Sequence, residues 1–234
     1  MKHFKGGIDA KRAKIFAKLS REITIATKIS GGDPGMNPRL RMALLKSREA
    51  NMPKENIDRA IRRGTGEGEQ VSYEDLTYEV YGPHGVAMVV ELSTDNRNRT
   101  AAEIRSLMTK AGGSIATAGA VTRLFQRKGL MMVSREGANE DALMEVAMEA
   151  GAEDFKAVPE GFEILTEPGS FEAVHKVIEA KGFKCASASV THVPTLTVPL
   201  TDTEAAAAVA KLIEAIEDHD DVKEVYSNAA FADV

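Results

Sequence analysis

The sequence predicts an α+β multidomain protein. A basic three-helix N-terminal domain is followed by two split βαβ (ferredoxin-like) domains, one inserted in the other. Three observations carry this reading. Charge changes sign along the chain: residues 1–64 hold 16 Lys+Arg against 6 Asp+Glu, and the remaining 170 hold 14 against 29. Near the same place the apolar period changes from steps of three and four to alternation. Residues 129–193 then read β-α-β-β-α-β, the order of the ferredoxin-like split motif.

The elements follow in order. From Asp9 to Ile29, Phe16, Leu19, Ile23 and Ala26 share one helical face, and Lys11, Lys14, Lys18, Arg21 and Lys28 fall opposite. Gly31-Gly32 ends this helix, and Asn37-Pro38 opens a second, with Asn as cap and Pro at the first helical position. Asn51-Met52-Pro53 repeats the device for a third helix ending at Gly64. Three short helices give a small bundle, or a helix pair with a recognition-like third member. The polar stretch from Gly64 to Glu69 is read as a linker; no Lys-Ser or Lys-Thr follows its glycines, so it is not a phosphate-cradling loop.

Strands are expected at 76–81 and 86–92 across a Gly-Pro-His-Gly turn, a helix at 100–111, and strands at 114–117 and 121–127. The inserted unit reads strand 130–135, helix 139–150, strands 153–158 and 162–166, helix 170–181 and strand 184–193. A strand at 195–200, a helix at 202–217 and a strand at 222–228 close the interrupted domain. The expected domains are therefore 1–70, 71–128 plus 196–234, and 129–195.

Composition narrows the function classes. A 43% hydrophobic content suits a folded protein, and no apolar run approaches the roughly 18–20 residues of a membrane span. The N-terminal MKHFKGGI leads into a polar helix and is not read as a secretory signal, so the expected location is cytoplasmic, or organellar after processing. Cys185 is the one cysteine, which excludes an intramolecular disulfide. The histidines at 3, 84, 175, 192 and 219 form no pair at helical spacing, so no metal and no cofactor are expected. The acidic run Glu217–Asp221 reads as a solvated helix terminus, and Met131, Met132, Met144 and Met148 as core. A Gly-x-Ser-x-Gly elbow is absent and no catalytic residues are expected.

The basic head is the candidate site, because clustered cations bind polyanions by releasing condensed counterions. The candidate nucleic-acid contacts are Lys11, Arg12, Lys14, Lys18, Arg21, Lys28, Arg39, Arg41, Lys54, Arg59, Arg62 and Arg63. Glu55–Arg59 and Asp58–Arg62 stand in the favourable i,i+4 order, so the third helix is expected to neutralise part of its own charge. That leaves the stripe on the first helix as the expected phosphate-facing surface. Phe4 and Phe16 are the only aromatics in the head, which argues against base stacking. Arg97 and Arg99, in Asp95-Asn96-Arg97-Asn98-Arg99-Thr100, could hold a phosphate or an acidic partner, but Thr100-Ala101-Ala102-Glu103 also reads as a capping box, and capping is slightly favoured.

The run GGDPGMNPRLRMALLKSREANMPKENIDRAIRRG (31–64) closely resembles the signature of the YebC family. TDNRNRTAAEIR (94–105) and YGPHGVAMVVE (81–91) are similar to its other characteristic stretches, and the likeness spans nearly the whole chain. The resemblance implies an N-terminal helical bundle and two α/β domains, one inserted in the other. It also implies a DNA-binding transcriptional regulatory protein or, as in a mitochondrial translational activator, a factor acting at the ribosome. It brings no catalytic residues. Family chains usually begin with a Gly-His-Ser-Lys-Trp-type segment; here Asp9-Ala10-Lys11-Arg12 is kept and the preceding residues hold no Trp. The resulting expectation is a non-enzymatic, nucleic-acid-binding regulator of gene expression. The alternatives are a ribosome-associated factor binding rRNA or tRNA, and a protein-interaction module using the basic patch. Partners are nucleic acid and, through the acidic body, other proteins, with no membrane and no small-molecule substrate.

Overall fold

The computed structural model describes residues 2–66 and 71–232. Helices α1 (Lys2–Ser30), α2 (Pro38–Glu49) and α3 (Lys54–Gly64) come first. Against the expectation of three short helices, α1 is 29 residues long. Asn37 caps α2 as expected: its Oδ1 accepts the Leu40 N–H at 3.0 Å. Its amide also donates to the Ala26 and Gly31 carbonyls at 2.8 and 2.9 Å, so one buried side chain closes both helix ends. Asn51 does not repeat the device. It adopts φ 55°, the left-handed geometry that terminates α2, and α3 begins after Pro53 with no side-chain cap. Gly64 belongs to α3, where a Cβ would lie 2.4 Å from the Thr27 Cβ and 2.8 Å from the Thr24 carbonyl. Only glycine lets α3 approach α1 that closely. Most of the expected linker, residues 67–70, lies outside the described residues.

By packing, the chain divides into two compact units: residues 1–40, 53–126 and 193–234, and residues 41–52 and 127–192. In the first, β1 (Glu74–Tyr81) pairs antiparallel with β2 (Ala87–Thr94) across the Pro83–Gly85 turn, where His84 takes φ 61°. The strand β3 (Ser114–Ile115) adds to β1, and β9 (Val222–Ser227) adds to β2, giving the order β3-β1-β2-β9. Helices α4 (Arg97–Lys110) and α7 (Thr203–Glu217) supply Ile104, Met108, Val209, Leu212 and Ile216 to a core shared with Val80, Met88, Val90 and Leu92. On the opposite face Ala87 and Val89 pack with Val121 and Phe125. Strand β2 is thus covered on both sides, which explains its near-continuous apolar run. A separate parallel pair joins β8 (Val198–Leu200) to β10 (Ala229–Phe231).

Glu79 on β1 is buried, and its carboxylate accepts the N–H groups of Gly119, Val121 and Thr122 at 2.6, 2.9 and 2.7 Å. Burial pushes its pKa up, but the three backbone donors outweigh that and hold it below the usual range. One side chain therefore fixes the whole loop after β3.

The second unit holds most of β4 (Phe125–Ser134), then α5 (Glu140–Ala150), β5 (Asp154–Val158), β6 (Gly161–Thr166), α6 (Phe171–Ala180) and most of β7 (Cys185–Pro194). Its sheet order, β5-β6-β4-β7, is the ferredoxin-like one that the sequence predicts. The break expected between strands 121–127 and 130–135 is absent, because β4 runs through Gly129. There a Cβ would come within 2.2 Å of Thr166 Oγ1 and 2.8 Å of the Phe171 ring, so this glycine marks close packing, not a turn. Leu143 and Ala147 form the buried face of α5. Met144 and Met148, expected in the core, stand one position further round and are 42% and 48% exposed. Met131 is fully buried. Among the described residues, no helix is long and apolar enough to cross a membrane.

Candidate nucleic-acid interface

The structure brings the α1 cation stripe against the C-terminal end of α7 and the turn that follows. Lys11 Nζ lies 3.1 Å from Glu214 Oε1, and Lys14 donates to the Asp218 carbonyl at 3.2 Å. Lys18 donates to the Glu217 carbonyl. Arg21 reaches furthest in. It bonds Asp221 Oδ1 at 2.8 Å and the carbonyls of Ser93 and Asp220 at 3.3 Å, and stacks over the Tyr73 ring at 5.1 Å. Carbonyls at a helix C-terminus carry partial negative charge, so cations there satisfy acceptors that the helix cannot. The Glu214 hydrogen bond raises the Lys11 pKa, whereas burial lowers that of Lys18. The stripe lies opposite the apolar face, as the periodicity predicts, but it meets the protein's own carboxylates and carbonyls.

Asp221 is the centre of this arrangement and only 4% exposed, which corrects the reading of the run Glu217–Asp221 as a solvated terminus at its last residue, while Glu217, Asp218 and Asp220 are exposed as expected. Its Oδ2 accepts Thr100 Oγ1 at 2.7 Å and Arg99 at 3.0 Å. Burial pushes the carboxyl up, but the Thr100, Arg21 and Arg99 hydrogen bonds win and hold its pKa at about 2. The Asp95–Thr100 stretch changes meaning accordingly. Asn96, not Thr100, caps α4, accepting the Arg99 N–H at 3.0 Å, and Thr100 is fully buried. Arg99 also pairs with Asp95 at 2.9 Å, and Arg97 with Glu74 at 3.0 Å. His219 completes the turn: its Nδ1 accepts the Asp221 N–H at 3.1 Å, which places the proton on Nε2, 2.6 Å from Glu103.

The second helix contributes two engaged arginines. Arg39 forks onto Glu22 at 2.7 and 3.1 Å and onto Asp75 at 2.7 and 3.2 Å, and Lys223 also reaches Glu22 at 3.2 Å. The Glu22 and Asp75 hydrogen bonds drive the Arg39 pKa further upward. Within the second unit, Arg41 pairs with Glu172 at 3.0 Å. Lys28 donates to the Val71 carbonyl at 3.0 Å. Arg12 lies 6.0 Å from the centroid of the Phe16 ring on its own helix and is exposed.

Helix α3 is different. Lys54, Arg59, Arg62 and Arg63 are all exposed, and none of them forms an ion pair among the described residues. The Glu55–Arg59 and Asp58–Arg62 pairs expected from spacing are not formed. The opposite face packs on α1 through Ala60, whose carbonyl accepts Thr24 Oγ1 at 3.1 Å. Arg59, Arg62 and Arg63 stand at relative positions 0, 3 and 4, so they share one outward face.

Comparison with known proteins identifies the scaffold. Residues 1–67 match the model of the TACO1/YebC protein N-terminal domain, and residues 73–229 match the TACO1/YebC second and third domain. The chain belongs to the TACO1/YebC family. A "probable transcriptional regulatory protein" of Persephonella marina is 50% identical over 229 residues, covering 97% of this chain and 92% of the relative. One from Dictyoglomus turgidum is 51% identical over the same length. The crystal structure of a conserved hypothetical protein from Aquifex aeolicus superposes with a TM-score of 0.85 at 43% identity, covering 97% of this chain and 93% of the other.

Sequence reasoning missed Asp221 and Glu79, the two buried carboxylates that organise the first unit. No local pattern marks either: one closes an acidic run and the other sits in an alternating strand. Their roles arise from donors more than 35 residues away in the chain.

Proposed function

We propose that this protein is a non-enzymatic, nucleic-acid-binding regulator of gene expression that holds phosphates chiefly through the outward face of α3. One observation carries the reading: four exposed cations, Lys54, Arg59, Arg62 and Arg63, lack a carboxylate partner among the described residues, while the α1 stripe is engaged within its own unit. A guanidinium already exposed and unpaired can meet a phosphate without first breaking an internal contact. The names of the relatives, probable transcriptional regulatory proteins, favour DNA as the target. A second reading, structured RNA at the ribosome, is favoured by the composition of α3, which carries no aromatic to stack on bases. Backbone spacing and shape then set the preference in either case.

The test is a fluorescence-anisotropy titration of the full chain against a duplex DNA and a ribosomal RNA hairpin between about 50 and 200 mM salt. Four phosphate contacts predict a log–log slope of roughly −3 to −4 on duplex DNA. A flat response on both ligands overturns the proposal, and the tighter ligand decides between DNA and RNA.

A further inference from the structure

We infer that His175, Glu179 and Cys185 form a binding site for a divalent metal ion of the zinc class. His175 and Glu179 stand four residues apart on α6, one turn above the other on a single face, and His175 Nε2 lies 3.5 Å from Glu179 Oε1. The Cys185 sulfur, at the start of β7, completes a triplet whose donor atoms all lie within 4.8 Å of one another. A tetrahedral zinc with ligand bonds of about 2.0–2.3 Å has donor–donor edges of roughly 3.3–3.7 Å. The His–Glu separation is already such an edge, and small rotations of Cys185 and Glu179 close the others.

A second cluster, Glu103, His219 and Asp221, satisfies the same distance condition, and the contrast between the two is informative. There the donors are occupied. Asp221 accepts from two arginines and two threonines, and both nitrogens of His219 are hydrogen-bonded. At the first cluster, His175 makes the 3.5 Å approach to Glu179 and stacks on Phe171, and Cys185 packs at the edge of the apolar core with no hydrogen bond to its sulfur among the described residues. The stacking fixes the ring plane without using either nitrogen.

The charge around Cys185 points the same way. Burial pushes its thiol up to about 12, and the carboxylates of Glu179 and Glu49 add to the shift. Glu49, at the end of α2, accepts the Ala188 N–H through Oε1 at 2.9 Å, and burial raises its pKa too. Lys46 acts on Glu49 in the opposite sense. Burial opposes a bare thiolate, and the two neighbouring carboxylates are the feature of this corner that suits a divalent ion beside its one soft donor. The ion replaces the thiol proton, one proton leaving to solvent for each metal bound through sulfur. Thiolate and imidazole favour zinc over magnesium or calcium, and a water can take the fourth position.

Cobalt(II) titration of the untagged full chain tests this directly, because Cys185 is the only cysteine and any thiolate-to-cobalt charge-transfer band must come from it. The expected result is one equivalent of Co2+ giving that band with tetrahedral visible absorption, bleached by one equivalent of Zn2+. Cys185→Ser should abolish the band, and His175→Ala and Glu179→Gln should each weaken binding by at least about tenfold, with unchanged far-UV circular dichroism. Absence of the band in the unmodified chain, or undiminished affinity in both His175→Ala and Glu179→Gln, overturns the inference. Neither outcome depends on nucleic-acid binding.

Discussion

Helices α1 and α3 carry cationic faces of similar density in sequence, yet the fold treats them in opposite ways. On α1, Lys11, Lys14, Lys18 and Arg21 each meet a carboxylate or carbonyl at the end of α7 or the turn beyond it. On α3, Lys54, Arg59, Arg62 and Arg63 project without an ion-pair partner among the described residues. Spacing alone suggested the reverse, since α3 contains two acid-then-base pairs and α1 has few acids nearby in sequence. An i,i+4 pair on an exposed helix is worth only about 0.3–0.5 kcal/mol, too little to hold two long side chains together. Arg21 instead finds a buried carboxylate that needs a cation. A cationic stripe is therefore a binding surface only where the rest of the fold supplies it with no internal partner.

The comparison can be broken most sharply at α3. Replacing Arg59, Arg62 and Arg63 with Gln should reduce nucleic-acid affinity on the order of 100-fold or more and flatten the salt slope by about 3, as read by anisotropy. If Lys11, Lys14 and Lys18 to Gln costs more than that, the ranking of the two helices is inverted.

Asp221→Asn probes the α1 side. It removes the buried carboxylate beneath Arg21 and Arg99, and should cost about 3 kcal/mol, a fall in Tm of roughly 6–12 °C by calorimetry. An unchanged Tm would mean that Arg21 does not anchor α1. The same carboxylate sets an acid dependence. Its folded pKa, about 2, lies below the ordinary 3.8, so its stabilisation is fully present above about pH 4 and is lost as pH falls toward 2. Because Arg21 and Arg99 are partly exposed and screened, the expected contribution is about 1–2 kcal/mol. Acid unfolding of the Asp221→Asn variant should show a correspondingly shallower pH slope.

Weaker effects sharpen the picture. Changing Glu214, Glu217 and Asp218 to Gln, Gln and Asn removes carboxylates beside the α1 lysines, and should raise nucleic-acid affinity a few-fold at low salt through relief of long-range repulsion. The Lys11, Lys14 and Lys18 to Gln variant should lose less than about threefold. A gain in the first and a small loss in the second, measured in one titration series, would fix the internal role of the stripe.

Much of the fold was legible in the sequence because its signals are local. The βαββαβ order, the Asn37 cap and the Gly-Pro-His-Gly turn each follow from residues within a few positions of one another. The misreadings have a common cause. Thr100 reads locally as a cap, yet its buried hydroxyl bonds Asp221, and β4 runs unbroken through Gly129 because Thr166 and Phe171 pack there, contacts that no local pattern reveals. The signal available for the proposed metal site is His175-x-x-x-Glu179, a helical chelating step of unlike donors that the spacing of histidines alone does not reveal.

The sequence by itself determined the family, the α+β class and the presence of a strongly basic head on an acidic body, since composition and periodicity need no knowledge of long-range contacts. Only the tertiary structure decided which of the head's cations remain free. Pairing energy depends on burial and on partners about 200 residues apart, such as Lys11 with Glu214 and Arg21 with Asp221, and no spacing rule along one helix can reveal them.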